Sequence, residues 1–223
     1  MASEAVAVSP EEVAQERADL RAIAGRAQST SVLASQRTRE VRGPFAALFP
    51  QGLRPGTSVT VRAARPSLES AAMRNAVTLA AGVVPVDGWV AAVGVPSLGV
   101  LAAAEAGLAL DRLVFFAAPT TVWGTVAIAA VDAFDVVVLA VPARPRAAEV
   151  RRLAGRARER GNTVIAMGAG VAAWGGDARL VTSAITWDGL GDGHGTLQSC
   201  RVTVDLDGRG SVRPRQVDLV LGA

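Results

Sequence analysis

The chain has 223 residues, of which 50% are hydrophobic and 19% charged, with a mean hydropathy of +0.32. That is enough apolar material for one mid-sized core, and it excludes a disordered chain. All 23 basic side chains are Arg, for a net charge of +3, and the lack of any Lys excludes Schiff-base lysine chemistry, Ser–Lys catalysis and a phosphate-binding loop lysine.

Residues 1–12 carry Glu4, Glu11 and Glu12 and no basic stretch followed by an apolar one, so no secretory leader is expected. Ser9-Pro10-Glu11-Glu12 is a capping-box helix start. The helix is predicted to run to about Ala27 with a thin stripe of Val13, Leu20, Ile23 and Ala24. Such a stripe cannot form a core alone, so Leu20 and Ile23 are candidate contacts with a partner, a second copy or the body. Ser29–Gly43, with Arg37, Arg39 and Arg42, reads as a linker that closes a first segment, 1–43.

A core domain is expected over 44–187. Gly52–Gly56 is a turn and Ser58–Arg62 alternates as a strand. A helix is predicted from Leu68 to about Ala81, a strand over Trp89–Val93 and a helix near Leu98–Ala106. Leu113–Phe116 is a third strand and Val122–Ala133 a helical or mixed segment. Asp135–Val141 is a continuous apolar run, as in a strand buried on both faces. Ala147–Arg160 is an amphipathic helix, and Thr163–Met167 another buried strand. The alternation predicts an α/β fold with a mainly parallel sheet. The longest uncharged stretch, Gly88–Ala104, carries Pro96 and is short for a bilayer span, so a soluble cytoplasmic protein is expected.

The remainder, 188–223, reads as a β-hairpin extension. Leu180–Trp187, Gln198–Leu206 and Ser211–Leu221 are predicted antiparallel strands, separated by Gly189–Gly195 and by the turn Asp207–Gly210. Cys200 is the single cysteine and His194 the single histidine, so an internal disulfide and a His/Cys zinc cluster are excluded.

The turn after the first core strand is where an α/β protein would hold a phosphate. Here it reads Ala63-Ala64-Arg65-Pro66-Ser67-Leu68-Glu69-Ser70. With its lead-in, Gly52-Leu53-Arg54-Pro55-Gly56, this placement resembles the P-loop of RecA-type ATPases. Set against the family's GxxxxGK[ST], Ala63 and Leu68 fall on the glycines, Glu69 on the lysine, and Ser70 keeps the hydroxyl. Leu68 puts a branched side chain where backbone must approach phosphate. Glu69 puts a carboxylate beside a polyanion, and two unit charges about 4 Å apart repel by roughly 4 kcal/mol at an effective dielectric of about 20. In Phe134–Ala140 the family's metal-holding Asp falls at Ala140, while Asp135 stands at the wrong end. The family's catalytic carboxylate falls near Val95 or Pro96. No cofactor is therefore expected, and the resemblance implies a degenerate, catalytically inactive relative with a RecA-like core.

A narrower likeness is carried by Gly88–Ala102 and by Trp187–Gly195. These segments resemble the actinobacterial ImuA-prime proteins, RecA-derived accessory factors of the mutasome. That resemblance implies a role in damage-inducible (SOS) mutagenesis and translesion synthesis. The implied partner is ImuB, an inactive Y-family polymerase relative, and through it an error-prone replicative-type polymerase. Two alternatives stand beside this reading. Arg151, Arg152, Arg156, Arg158 and Arg160 on the amphipathic helix could form a phosphate-contacting face on DNA, or a cryptic NTPase could use carboxylates not placed by motif. Self-association through the N-terminal helix also stays open. Trp89 is expected in the core, and Trp174, in the Gly-rich run Gly168–Gly176, is the candidate partner anchor.

Overall fold

Short Val- and Ala-rich runs make the strands of the sheet. In the computed structural model residues 38–222 are described, apart from 192–193 and 210–211. The helix expected over Ser9–Ala27, with Leu20 and Ile23, lies outside the described residues. The strands are β1 (Ser58–Ala63), β2 (Val90–Val93), β3 (Leu113–Phe116), β4 (Val136–Ala140), β5 (Thr163–Met167), β6 (Ala178–Gly191), β7 (His194–Gly208) and β8 (Arg215–Gly222). They form one sheet in the order β3-β2-β4-β5-β1-β6-β7-β8. Every pair from β3 to β6 is parallel, and β6-β7-β8 is an antiparallel meander.

Four helices cover the sheet: α1 (Glu69–Val83), α2 (Val100–Glu105), α3 (Trp123–Ala133) and α4 (Ala147–Arg160). In β4 the period of two sends Val136 and Val138 to one face and Val137 and Leu139 to the other, all at 0–1% exposure. The first face packs on α1 and α2 through Ala72, Ala76, Leu79 and Ala103. The second packs on α3 and α4 through Trp123, Val131, Leu153 and Ala157. Each fully buried Val or Leu contributes about 1.5–3 kcal/mol, so the central strands hold the layers together. α4 stops at Gly161, whose φ of +71° closes the helix in the left-handed conformation.

Three expectations are corrected. The last residues of the polar stretch before the core are not a free linker: Val41 is buried, and Arg39 bridges Leu53 through paired backbone hydrogen bonds. Gly82 makes this packing close, since a Cβ there would stand 2.6 Å from the Arg42 carbonyl oxygen. Trp89 is 45% exposed rather than core, because it precedes β2 and its amide is tied to the Asp135 carboxylate. The glycines of 189–195 do not separate the last strands, since β6 and β7 stay paired out to Gly191 and His194.

Candidate functional site

The loop after β1 is short and closed. The Ala64 amide donates to the Thr182 carbonyl at 2.9 Å, tying the loop to β6. Pro66–Leu68 forms one 3-10 turn, with the Leu68 amide bonded to the Arg65 carbonyl at 3.0 Å. Leu68 is 2% exposed, so its side chain is a core anchor at the head of α1. Glu69 is the first residue of α1 and exposed, where a carboxylate suits the positive end of the helix. Ser70 is also exposed, and Ala63 ends β1 half-buried. The Arg65 guanidinium turns onto Ser67 Oγ at 3.2 Å.

A cleft of about 560 Å³ opens beside this loop, at the carboxyl end of the parallel strands. Its floor is apolar, with Met73, Val77, Leu98, Met167, Ile185 and Trp187. Its charged groups are Glu69, Glu105 and Arg74. Arg74 is engaged, since one guanidinium nitrogen donates to the Gly222 carbonyl. Burial pushes the Cys200 thiol above its ordinary value, against the pull of Arg74, so it stays protonated. Trp187 is 42% exposed at the cleft, and Leu101 on α2 is 72% exposed.

Of the other positions singled out by motif, Ala140 and Val95 lie at the same end of the sheet. Ala140 closes β4 opposite Met167, and its carbonyl accepts the Trp123 Nε1–H at 2.8 Å. Val95 follows β2 and is buried. Asp135 lies at the opposite end of β4, where its carboxylate accepts the Trp89 amide at 3.0 Å, a structural role. Among the described residues no group of three or more His, Cys, Asp or Glu is placed to hold a metal ion.

Two candidate contacts change character. Trp174 is 3% exposed and packs with Trp123, Val171 and Leu153 under the second face, so it cannot be a surface anchor. The α4 arginines are divided. Arg156 and Arg160 both reach Asp132 on α3, at 2.5 and 3.0 Å, and Arg156 also reaches Glu159 at 3.0 Å. Arg158 pairs with Asp177 at 3.6 Å. Arg151 and Arg152 alone of the five are exposed and make no ion pair among the described residues. Three of the five are thus ion-paired, and two of them, Arg156 and Arg160, fasten α4 to α3. Sequence reading missed the cleft, because Met73, Leu98, Met167 and Trp187 come from α1, the loop before α2, β5 and β6, which only the sheet order gathers.

Comparison with known proteins agrees with this architecture. The crystal structure of the KaiC-like protein PH0186 from the hyperthermophilic archaeon Pyrococcus horikoshii OT3 superposes with a TM-score of 0.53 at 13% identity, covering 84% of this chain and 98% of that one. At that identity the likeness is one of fold, and the fold is RecA-like. No curated protein matches the sequence. No helix among the described residues is long and apolar enough to cross a membrane. The family model described as the MT3502 N-terminal domain matches residues 47–175, from the turn before β1 to the loop before β6. That match spans more than half of the sequence and the whole parallel core up to β5, and the chain therefore belongs to the MT3502 N-terminal domain family.

Proposed function

We propose that this protein is a catalytically inactive RecA-like accessory protein of damage-induced mutagenic translesion synthesis, acting by contact with an ImuB-type partner and through it with an error-prone polymerase. The observation that carries this reading is the pair Leu68–Glu69 at the head of α1. One side chain fills the core and the other sets a negative charge where a phosphate would lie. The adjoining cleft supports it: its apolar floor and two carboxylates suit a protein surface better than a nucleotide's phosphates. Exposed Trp187 in its lining, and exposed Leu101 on α2, the helix that lends it Ala102 and Glu105, are side chains of the kind that interface cores use.

Calorimetry with Mg-ATP is expected to give no binding heat, and micromolar affinity with turnover would overturn the inactive assignment. Immobilised full chain is expected to retain purified ImuB. The double variant Leu101→Glu, Trp187→Ala is expected to weaken retention by at least about tenfold, the loss of one hot-spot cluster. Failure of the unaltered chain to retain ImuB would sink the partner assignment.

A further inference from the structure

The opposite end of the sheet, where the parallel strands begin, carries a different surface. Two hollows of about 450 and 270 Å³ share Gln51, Gly52 and Val212, so they form one continuous groove. Arg54, Arg158 and Arg209 line the first, and Arg213 and Arg215 the second. They come from the turn before β1, the last turn of α4, and the connection from β7 into β8. The fold brings them to one place because each of these segments meets the sheet at the same end.

Among the described residues Asp177 is the one carboxylate lining the groove, and it is already used. It accepts from the Ser58 amide at 2.8 Å and the Ser58 hydroxyl at 3.1 Å, and it pairs with Arg158 at 3.6 Å. Arg215 is partly held by the Ala47 carbonyl at 3.4 Å. Arg54, Arg209 and Arg213 are exposed and make no ion pair among the described residues. The wall is also built closely. Gly56, at φ +79°, lets the turn lie against α4, since a Cβ there would stand 2.7 Å from Arg158 Cα. Like charges gathered without counter-charges repel one another, and a bound polyanion relieves that repulsion.

We propose that this groove binds the phosphate backbone of nucleic acid without regard to sequence. Guanidinium forks match phosphate oxygens in pairs. Among the described residues the groove offers no stacking platform, because Phe49, the one aromatic side chain lining it, is 5% exposed. An acidic peptide would need apolar anchor pockets as well as charge. Here Leu48 and Leu53 are buried, and the apolar surface left is half-buried Val212 and Pro55 with exposed Pro50. The site is distinct from the α4 face, whose two unpaired arginines lie outside the groove.

The test uses the full chain and fluorescein-labelled single-stranded and duplex oligonucleotides of mixed sequence, read by anisotropy across a salt series. Binding is expected at low salt, indifferent to sequence. For single strands the slope of log affinity on log salt should be about −2, as for roughly three phosphates. The triple variant Arg54→Ala, Arg209→Ala, Arg213→Ala should weaken binding at least tenfold and flatten that slope. The pair Arg151→Ala, Arg152→Ala should bind as the unaltered chain does. Matching far-UV dichroism and melting temperature establish that each variant is folded. Undiminished binding by the triple variant, loss through the α4 pair instead, or no binding at low salt would each overturn the proposal. Tight binding of inorganic tripolyphosphate without oligonucleotide binding would make the ligand a free phosphate and overturn it too. Equal displacement by polyglutamate of matched charge would assign the groove to an acidic peptide instead. None of these outcomes depends on retention of ImuB or on ATP, so the two proposals fail separately.

Discussion

Leu68 shows how one side chain can decide what a loop is able to do. Where a phosphate loop leaves its backbone bare, this side chain is inserted into the core at 2% exposure. Leu68→Ala should cost about 2–5 kcal/mol, the usual range for a buried Leu truncated to Ala, and urea unfolding would measure it. Glu69→Lys at the neighbouring exposed position should change stability far less, even though it reverses the charge. Removing Leu68 to bare the loop's backbone would therefore destabilise the fold. Trp174 makes the complementary case. Its indole is buried, and its Nε1–H has no hydrogen-bond partner among the described residues. Trp174→Ala should cost about 3–5 kcal/mol. Trp174→Phe should stay much nearer the unaltered chain, because it removes the unpaired N–H while keeping most of the ring. Equal losses for the two variants, read by chemical denaturation, would contradict that account. The glycines around Trp174 made it look like a loop-tip anchor in the sequence. Its burial depends on α3 and α4 closing over the second face, which no local pattern reveals.

At the level of elements, α3 and α4 are joined by charge at their rim as well as by packing beneath. Asp132 accepts hydrogen bonds from both Arg156 and Arg160. The Arg156 hydrogen bond, opposed by desolvation and aided by Arg160, holds the Asp132 carboxyl below its ordinary value of 3.8. A carboxyl depressed in the folded state adds stability that is fully present above its unfolded value and lost as pH falls through the folded one. Asp132→Asn should thus lower the melting temperature slightly at neutral pH, as expected for an exposed pair. The difference from the unaltered chain should shrink in the acid range below 3.8 and be insensitive to pH between 6 and 8. A difference that persists at low pH would mean that Asp132 acts by packing. The strongest periodic signals were read correctly from sequence: β3, α4 and β5 have the predicted bounds. Leu113–Phe116 and Val164–Met167 are uninterrupted apolar runs, and Ala147–Arg160 is amphipathic with a glycine stop. The ends of β6 and β7 were not legible, because Gly189, Gly191 and Gly195 carry a turn signature while the backbone stays paired. Of the groove arginines only Arg158 belongs to the row singled out from sequence; Arg54 and Arg213 are far apart along the chain, and only the sheet brings them beside it.

Across the whole molecule, the antiparallel meander is structural and cannot be detached. β6 continues the parallel core beside β1, with Thr60 opposite Arg179 and Val61 opposite Leu180. β7 then pairs along nearly the full length of β6, and β8 along the second half of β7. Cys200, Val202, Val204, Leu206, Leu219 and Leu221 are 0–4% exposed and belong to the same core as α1. Five of them are Val or Leu, whose burial contributes about 1.5–3 kcal/mol each, a large loss against the small net margin of about 5–15 kcal/mol that a typical domain has. A chain ended after Trp187 should therefore lose cooperative unfolding, with a collapsed near-UV dichroism signal, rather than behave as a smaller folded domain. It would also open one wall of the basic groove by removing Arg209, Arg213 and Arg215. A cooperative urea transition with a native-like near-UV spectrum in that truncated chain would show that the parallel core folds alone. The meander would then be an appendage that carries the groove, and the point variants, which keep it intact, are the sounder way to separate stability from binding.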